Sequence, residues 1–90
     1  MKLECNHIVV NRNGSVGAIA CIVGVPHLIV FSSFTMKASQ ISEDGKAKNT
    51  NYDIVKVYDG SNVENPNDIF KKSFKVEELP LVWEETNGNS

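Results

Sequence analysis

Apolar residues in this chain fall in short clustered or alternating runs, and no long stripe of helical period appears. The run HIVVNRNGSVGAIACIV places strand-forming residues on both sides of Asn13-Gly14, the dipeptide best suited to the positive φ angles of a tight hairpin turn. The apolar run continues into VGVPHLIVFSSF, where Gly24 and Pro26 mark a second reversal before Leu28-Ile29-Val30-Phe31. A three-stranded meander through about Phe34 is therefore expected. Residues 35–50 offer only isolated Met36, Ala38 and Ile41 before the polar group SEDGK, which predicts a short strand or irregular segment and then a flexible loop.

The stretch NYDIVKVYDGSN, beginning at Asn51, alternates with Tyr52, Ile54, Lys56 and Tyr58 on one side and Asp53, Val55, Val57 and Asp59 on the other. Asp59-Gly60 ends it as a turn. Val55 and Val57 are expected to pack inward, which leaves Tyr52, Lys56 and Tyr58 as surface candidates, the reverse orientation staying open. Asn65-Pro66-Asn67-Asp68 starts a short helical segment near 66–73, with Asn65 or Asn67 as cap and Ile69, Phe70 and Phe74 as its apolar side. Pro80 stops any helix running through it, and Leu81-Val82-Trp83-Glu84 closes the chain as a strand. Five to six short strands with so little helix predict a mainly β domain, a small antiparallel barrel or strongly curved sheet. That domain spans 1–85. From Glu84 onward no apolar residue follows, so fraying is expected there, with a disordered tail at 86–90.

Ninety residues make one domain, and a chain of that length buries only roughly 60–65% of the surface its unfolded form exposes. With 41% hydrophobic and 22% charged residues the composition is globular. The net charge of −2 removes the overall attraction on which non-specific duplex binding relies, so nucleic acid is not the favoured partner. Lys71, Lys72 and Lys75 cluster, but Glu77 and Glu78 follow directly, and the group reads as a mixed-charge solvated face. Between 13 and 36 there is no Asp, Glu, Lys or Arg, a length that can span a bilayer as a helix. Gly14, Gly17, Gly24, Pro26 and His27 interrupt it and Val and Ile dominate it, so two buried strands are expected and no membrane partner. Cys5 and Cys21 are the only cysteines, and polar residues follow Met1-Lys2-Leu3-Glu4 directly, which suggests a cytoplasmic protein with reduced thiols.

Cys5, His7, Cys21 and His27 are zinc-ligand types, but their spacing matches no common structural zinc pattern. A two-residue turn at Asn13-Gly14 puts Cys5 opposite Ile22 and Cys21 opposite Asn6, hence on opposite faces, where neither a disulfide nor a shared metal forms. A three-residue loop with a bulge shifts Cys21 to face His7, so the register matters. Neither cysteine has a setting that activates a thiolate, and burial within AIACIV is expected to raise the pKa of Cys21. Asp53 and Asp59 stand about 20 Å apart along a strand, too far for one acid/base centre, and read as solubilising residues. Gly14-Ser15-Val16-Gly17 leads into a strand, so it reads as a hairpin and not a phosphate loop. No catalytic residue, metal or cofactor is expected. Tyr52, Tyr58 and Trp83 offer a stacking surface for bases or a nucleotide; alternatively Trp83 and one tyrosine fill the core. Lys56 and Arg12 are the cationic contact candidates.

Taken in order, RNGSVG, YDIVKVYDGSN and LPLVWEE resemble a group of small proteins of phages and prophages of Gram-positive bacteria. Those proteins often combine an early glycine turn, a Tyr- or Phe-Asp-Ile-Val-Lys-Val-Tyr segment and a Leu-(Leu/Val)-Trp-Glu ending. This chain departs from them by inserting NVENPNDIFKKSFKVEE and by the apolar character of GVPHLIVFSSF. No activity attaches to the motif residues. The resemblance implies a setting: a non-enzymatic counter-defence inhibitor in the bacterial host cytoplasm, acting on a host immune protein or a nucleotide-type small molecule, with homo-oligomer formation open. A nucleic-acid-binding small barrel and a phage structural or regulatory interaction protein are the alternatives.

Overall fold

The reversal at Asn13-Gly14 forms as a three-residue loop. Asn11 N–H donates to the Ser15 carbonyl and Gly14 N–H to the Asn11 carbonyl, each at 2.9 Å. Gly14 takes φ +89°, the left-handed residue that a type I turn followed by a bulge requires. The computed structural model describes residues 1–85. It pairs β1 (His7–Asn11) with β2 (Val16–Ile22) so that Ile8 faces Ala18, Val9 faces Gly17 and Val10 faces Val16. This register differs from both sequence-based alternatives, because the loop takes in Arg12 as well as Asn13-Gly14 and Asn11 is set opposite Ser15.

β3 (Val25–Val30), β4 (Thr35–Lys37), β5 (Ile54–Asp59) and β6 (Leu81–Glu84) complete one antiparallel sheet in the order β4-β3-β2-β1-β5-β6. The mainly β class and the six strands are as the patterning predicts. The barrel alternative is not realised: among the described residues β4 and β6 are the two edges of an open sheet, kept to three and four residues, the short-edge solution to unwanted strand pairing. Asn65 caps the short helical segment, its Oδ1 accepting from Asn67 N–H at 3.0 Å, and that segment is a 3₁₀ turn at Pro66–Phe70. A second 3₁₀ turn occupies Val76–Glu78, just before Pro80. Among the described residues no helix is long and apolar enough to cross a membrane.

Both faces of the sheet are covered. On one, Val9, Ile19, Ile29 and Val57 join Phe31, Ile41 and Ile54 in the main core, with Met36, Ala47 and Trp83 packed against it. On the other, Ile8 and Tyr58 meet Ile69, flanked by Phe70, Phe74, Val76 and Leu79. Tyr58 is therefore buried, at 5% exposure, which corrects its expected surface position. Alternation alone assigns one wet face to a six-residue strand; the segment around 63–79 supplies a second apolar cover that alternation cannot reveal. β5 also breaks strict alternation. Val10 faces Lys56 while Asn11 faces Ile54, so Val55 is the extra residue of a β-bulge, and Ile54 and Val57 both reach the main core.

The polar loop after β4 is tied down where a flexible loop was expected. Ile41 and Gly45 are buried, and the Gly45 carbonyl accepts from Ile54 N–H at 2.8 Å. Glu84 and Glu85 are likewise ordered: Glu84 faces Lys56 in β6, and Glu85 N–H donates to the Val55 carbonyl at 2.8 Å. The expected tail at 86–90 lies outside the described residues.

Candidate functional site

The Ser32-Ser33 turn is closed by Phe31 N–H donating to the Phe34 carbonyl at 2.8 Å. That short closure stacks the two phenyl rings at 4.6 Å and 20°. Phe31 is anchored in the core and Phe34, 38% exposed, is its accessible continuation. From the other side a 3₁₀ turn at Thr50–Tyr52, capped by Asn49, presents Tyr52. The Tyr52 carbonyl accepts from Nδ2 of the buried Asn11 at 2.9 Å, fixing the backbone beneath the ring. Tyr52 meets Phe34 edge-on at 5.4 Å and 61°, the geometry favoured by the ring quadrupoles. Met36 and Ala47 add apolar wall and Gln40, Lys48 and Asn49 add polar groups around a cleft of about 430 Å³, within the range of small-molecule sites.

Directly behind Tyr52 lies an ion network. Asp53, buried at 2% exposure, accepts from Ala47 N–H at 2.8 Å and from Arg12 at 3.3 Å, with Lys46 Nζ at 3.9 Å. Glu85 accepts from the same Arg12 and from Lys46 Nζ at 3.2 Å. Asp53 is thus an interior acceptor, and the solubilising role expected for it at the end of the strand is corrected: the loop carrying Ala47 folds over it. The Arg12 guanidinium holds the Glu85 carboxyl below the usual carboxylate range, with Lys46 adding to the effect. A folded pKa below the unfolded one contributes stability that is fully present above the ordinary range and lost as pH falls through the folded value. Glu85→Gln is accordingly expected to flatten the acid limb of the stability curve while leaving its shape near neutrality unchanged. Thermal melts from pH 7 to about pH 3 read this, and an acid limb identical to wild type sinks it.

Of the predicted contact residues, only Tyr52 lines this cleft. Tyr58 is on the opposite face in the second core, Trp83 packs half-buried against the main core, and Lys56 is half-buried with Glu84 Oε2 at 3.6 Å. Arg12 belongs to the ion network. The three aromatic residues form no common platform; the alternative with Trp83 and one tyrosine in the core is the arrangement observed. Phe34 and Lys48 were not singled out from the sequence. The FSSF spacing was the available signal for Phe34, since two phenylalanines flanking a two-residue turn end on one side.

The cysteines require a further correction. Cys5 and Cys21 form a disulfide with Cα atoms 5.7 Å apart, and both are exposed, where reduced thiols and a buried Cys21 were expected. Carrying the β1–β2 register three residues outward from Ile8 and Ala18 sets Cys5 opposite Cys21. Comparison of the chain with protein-family models, with curated proteins and with solved structures gave no match.

Proposed function

We propose that this is a non-enzymatic binding protein of the phage counter-defence type, which sequesters a nucleotide-type ligand in the Phe34–Tyr52 cleft. The observation that carries the reading is the pairing of an accessible edge-on aromatic couple with Lys48 on the same cleft. A base has an apolar π-face to stack and a phosphate that wants a cation, and these groups answer both needs. Gln40 and Asn49 provide hydrogen-bonding partners for the base edge. The resemblance to phage and prophage proteins supplies the setting: stoichiometric withdrawal of a host immune signal. Leu81 and Val82, about half exposed on the short edge strand β6, provide a strip where two copies can associate.

Thermal shift and calorimetry with a panel of cyclic and linear nucleotides test the reading. Ligand at a hundredfold excess over its Kd raises stability by about 2.7 kcal/mol. Tyr52→Ala is expected to weaken binding roughly 5- to 150-fold, since base stacking on an aromatic ring is worth about 1–3 kcal/mol. No shift with any nucleotide, together with capture of a host protein by pull-down, moves the function to direct inhibition of an immune effector. Steeply salt-dependent binding of oligonucleotides identifies the nucleic-acid alternative instead.

A cytoplasmic setting keeps exposed cysteines reduced, whereas the Cys5–Cys21 disulfide favours an oxidising compartment and, with it, an exported binding protein. Alkylation of free thiols in freshly lysed producing cells separates the two: full labelling supports the cytoplasm, protection supports export.

A further inference from the structure

A row of ligand-type side chains lies beyond the end of the main core, with Cys5 in the turn just before β1, Cys21 in β2 and His27 in β3. Cys5 faces Cys21 at 5.7 Å between Cα atoms, and the β2–β3 register, with Ala20 opposite Leu28 and Ile22 opposite Val25, leaves Cys21 facing the irregularity at Pro26-His27. The sulfur atoms and the His27 ring nitrogen lie within 4.8 Å of one another, and all three residues are exposed. None takes part in either core, the aromatic cleft or the ion network. Three sequence-distant residues share this spot because the hairpin turn sets the β1–β2 register and the tight Val23-Gly24 reversal sets the next.

We propose that Cys5, Cys21 and His27, once the disulfide is reduced, bind a thiophilic divalent cation of the zinc class, so that disulfide and metal are alternative occupants of one site. Bond lengths of about 2.3 Å to sulfur and 2.0–2.1 Å to nitrogen place tetrahedral ligand atoms roughly 3.5–3.8 Å apart. That separation falls inside the 4.8 Å envelope, so side-chain rotation at the two cysteines suffices to open it. Two thiolates and an imidazole suit zinc-class ions and leave a fourth position for solvent or an outside ligand. The exchange balances as follows. An external dithiol gives two electrons and two protons to the disulfide, releasing Cys5 and Cys21 as thiols, and itself closes to a cyclic disulfide. The cation then takes both sulfurs as thiolates, their two protons passing to solvent, while His27 donates a nitrogen lone pair in its neutral form. In the reverse direction a disulfide oxidant removes two electrons from the thiolates and expels the ion. Exposure of both sulfurs permits attack by an exchanging thiolate.

Cobalt(II) is the probe. The full chain is reduced with a phosphine, which leaves as its oxide, then exchanged into anaerobic buffer and titrated with cobalt(II). The expected result is intense tetrahedral visible bands with thiolate charge transfer, saturating at one equivalent and bleached by zinc(II). The untreated disulfide form is expected to show none of these. His27→Ala, an exposed change whose folding circular dichroism verifies, is expected to bind cobalt at least tenfold more weakly, and Cys5→Ser to lose most of the charge transfer. Reduced protein that is folded yet shows no such bands overturns the proposal. Saturation at half an equivalent with His27→Ala unaltered also overturns it, because the ion then bridges cysteines of two molecules.

Discussion

Replacing Gly45 by alanine is expected to destabilise the protein by about 2–5 kcal/mol, lowering the melting temperature by roughly 10–30 °C. Two costs add. Gly45 has φ +85°, and left-handed backbone costs an L-residue about 1–2 kcal/mol. An alanine Cβ there lies 2.6 Å from the Ile54 carbonyl oxygen and 2.9 Å from the Trp83 ring, and forced overpacking typically costs about 1–3 kcal/mol. The backbone cannot retreat cheaply, because the Gly45 carbonyl is held by Ile54 N–H. Gly14→Ala is the control. It shares a positive φ, +89°, but its Cβ meets nothing within 4 Å, so only the conformational cost of about 1–2 kcal/mol remains. Denaturant melts of both variants check the difference, and equal losses discard the close approach of Gly45 to Ile54 and Trp83 as the source of the added cost.

Breaking the Cys5–Cys21 link is expected to cost about 3 kcal/mol. The two residues are 16 apart, and constraining a loop of that size removes about this much free energy from the unfolded chain. A domain with a stability of about 5–15 kcal/mol survives the loss, so the reduced protein stays folded but melts earlier. Paired melts with and without reductant, and of the Cys5→Ser/Cys21→Ser double variant, measure it. The two are expected to agree in metal-free buffer. Unchanged melting on verified reduction discards the clamp. Added zinc(II) that restores stability to the reduced wild type and not to the double variant joins this prediction to the proposed metal site.

How far the site could be read in advance depends on distance along the chain. Phe31, Phe34 and the Ser32-Ser33 turn are local, and their stacking follows from spacing. Tyr52 was identifiable as an aromatic residue at a strand end, but its partner Phe34 is on another hairpin. Asp53 shows the same limit more sharply. A carboxylate at a strand end reads as a solubilising residue, yet the loop that bears Ala47 and Lys46 covers it and brings donors to it. The disulfide turned on the turn residues: the register of three backbone pairs decides whether the cysteines face each other.

By itself the sequence determined most of the strands, the main turns, a cap at Asn65 or Asn67 and the mainly β class, because strand alternation, turn glycines and capping are properties of neighbouring residues. Tertiary structure alone decided the register of β1 on β2, the cover over Tyr58, the burial of Asp53, the joining of Phe34 with Tyr52 and the row of Cys5, Cys21 and His27. Each of these is a relation between paired strands or between a strand and the loop that covers it. Its sign depends on a shift of a single residue in strand pairing, which inverts every side chain's face, and on loop packing that no local period encodes.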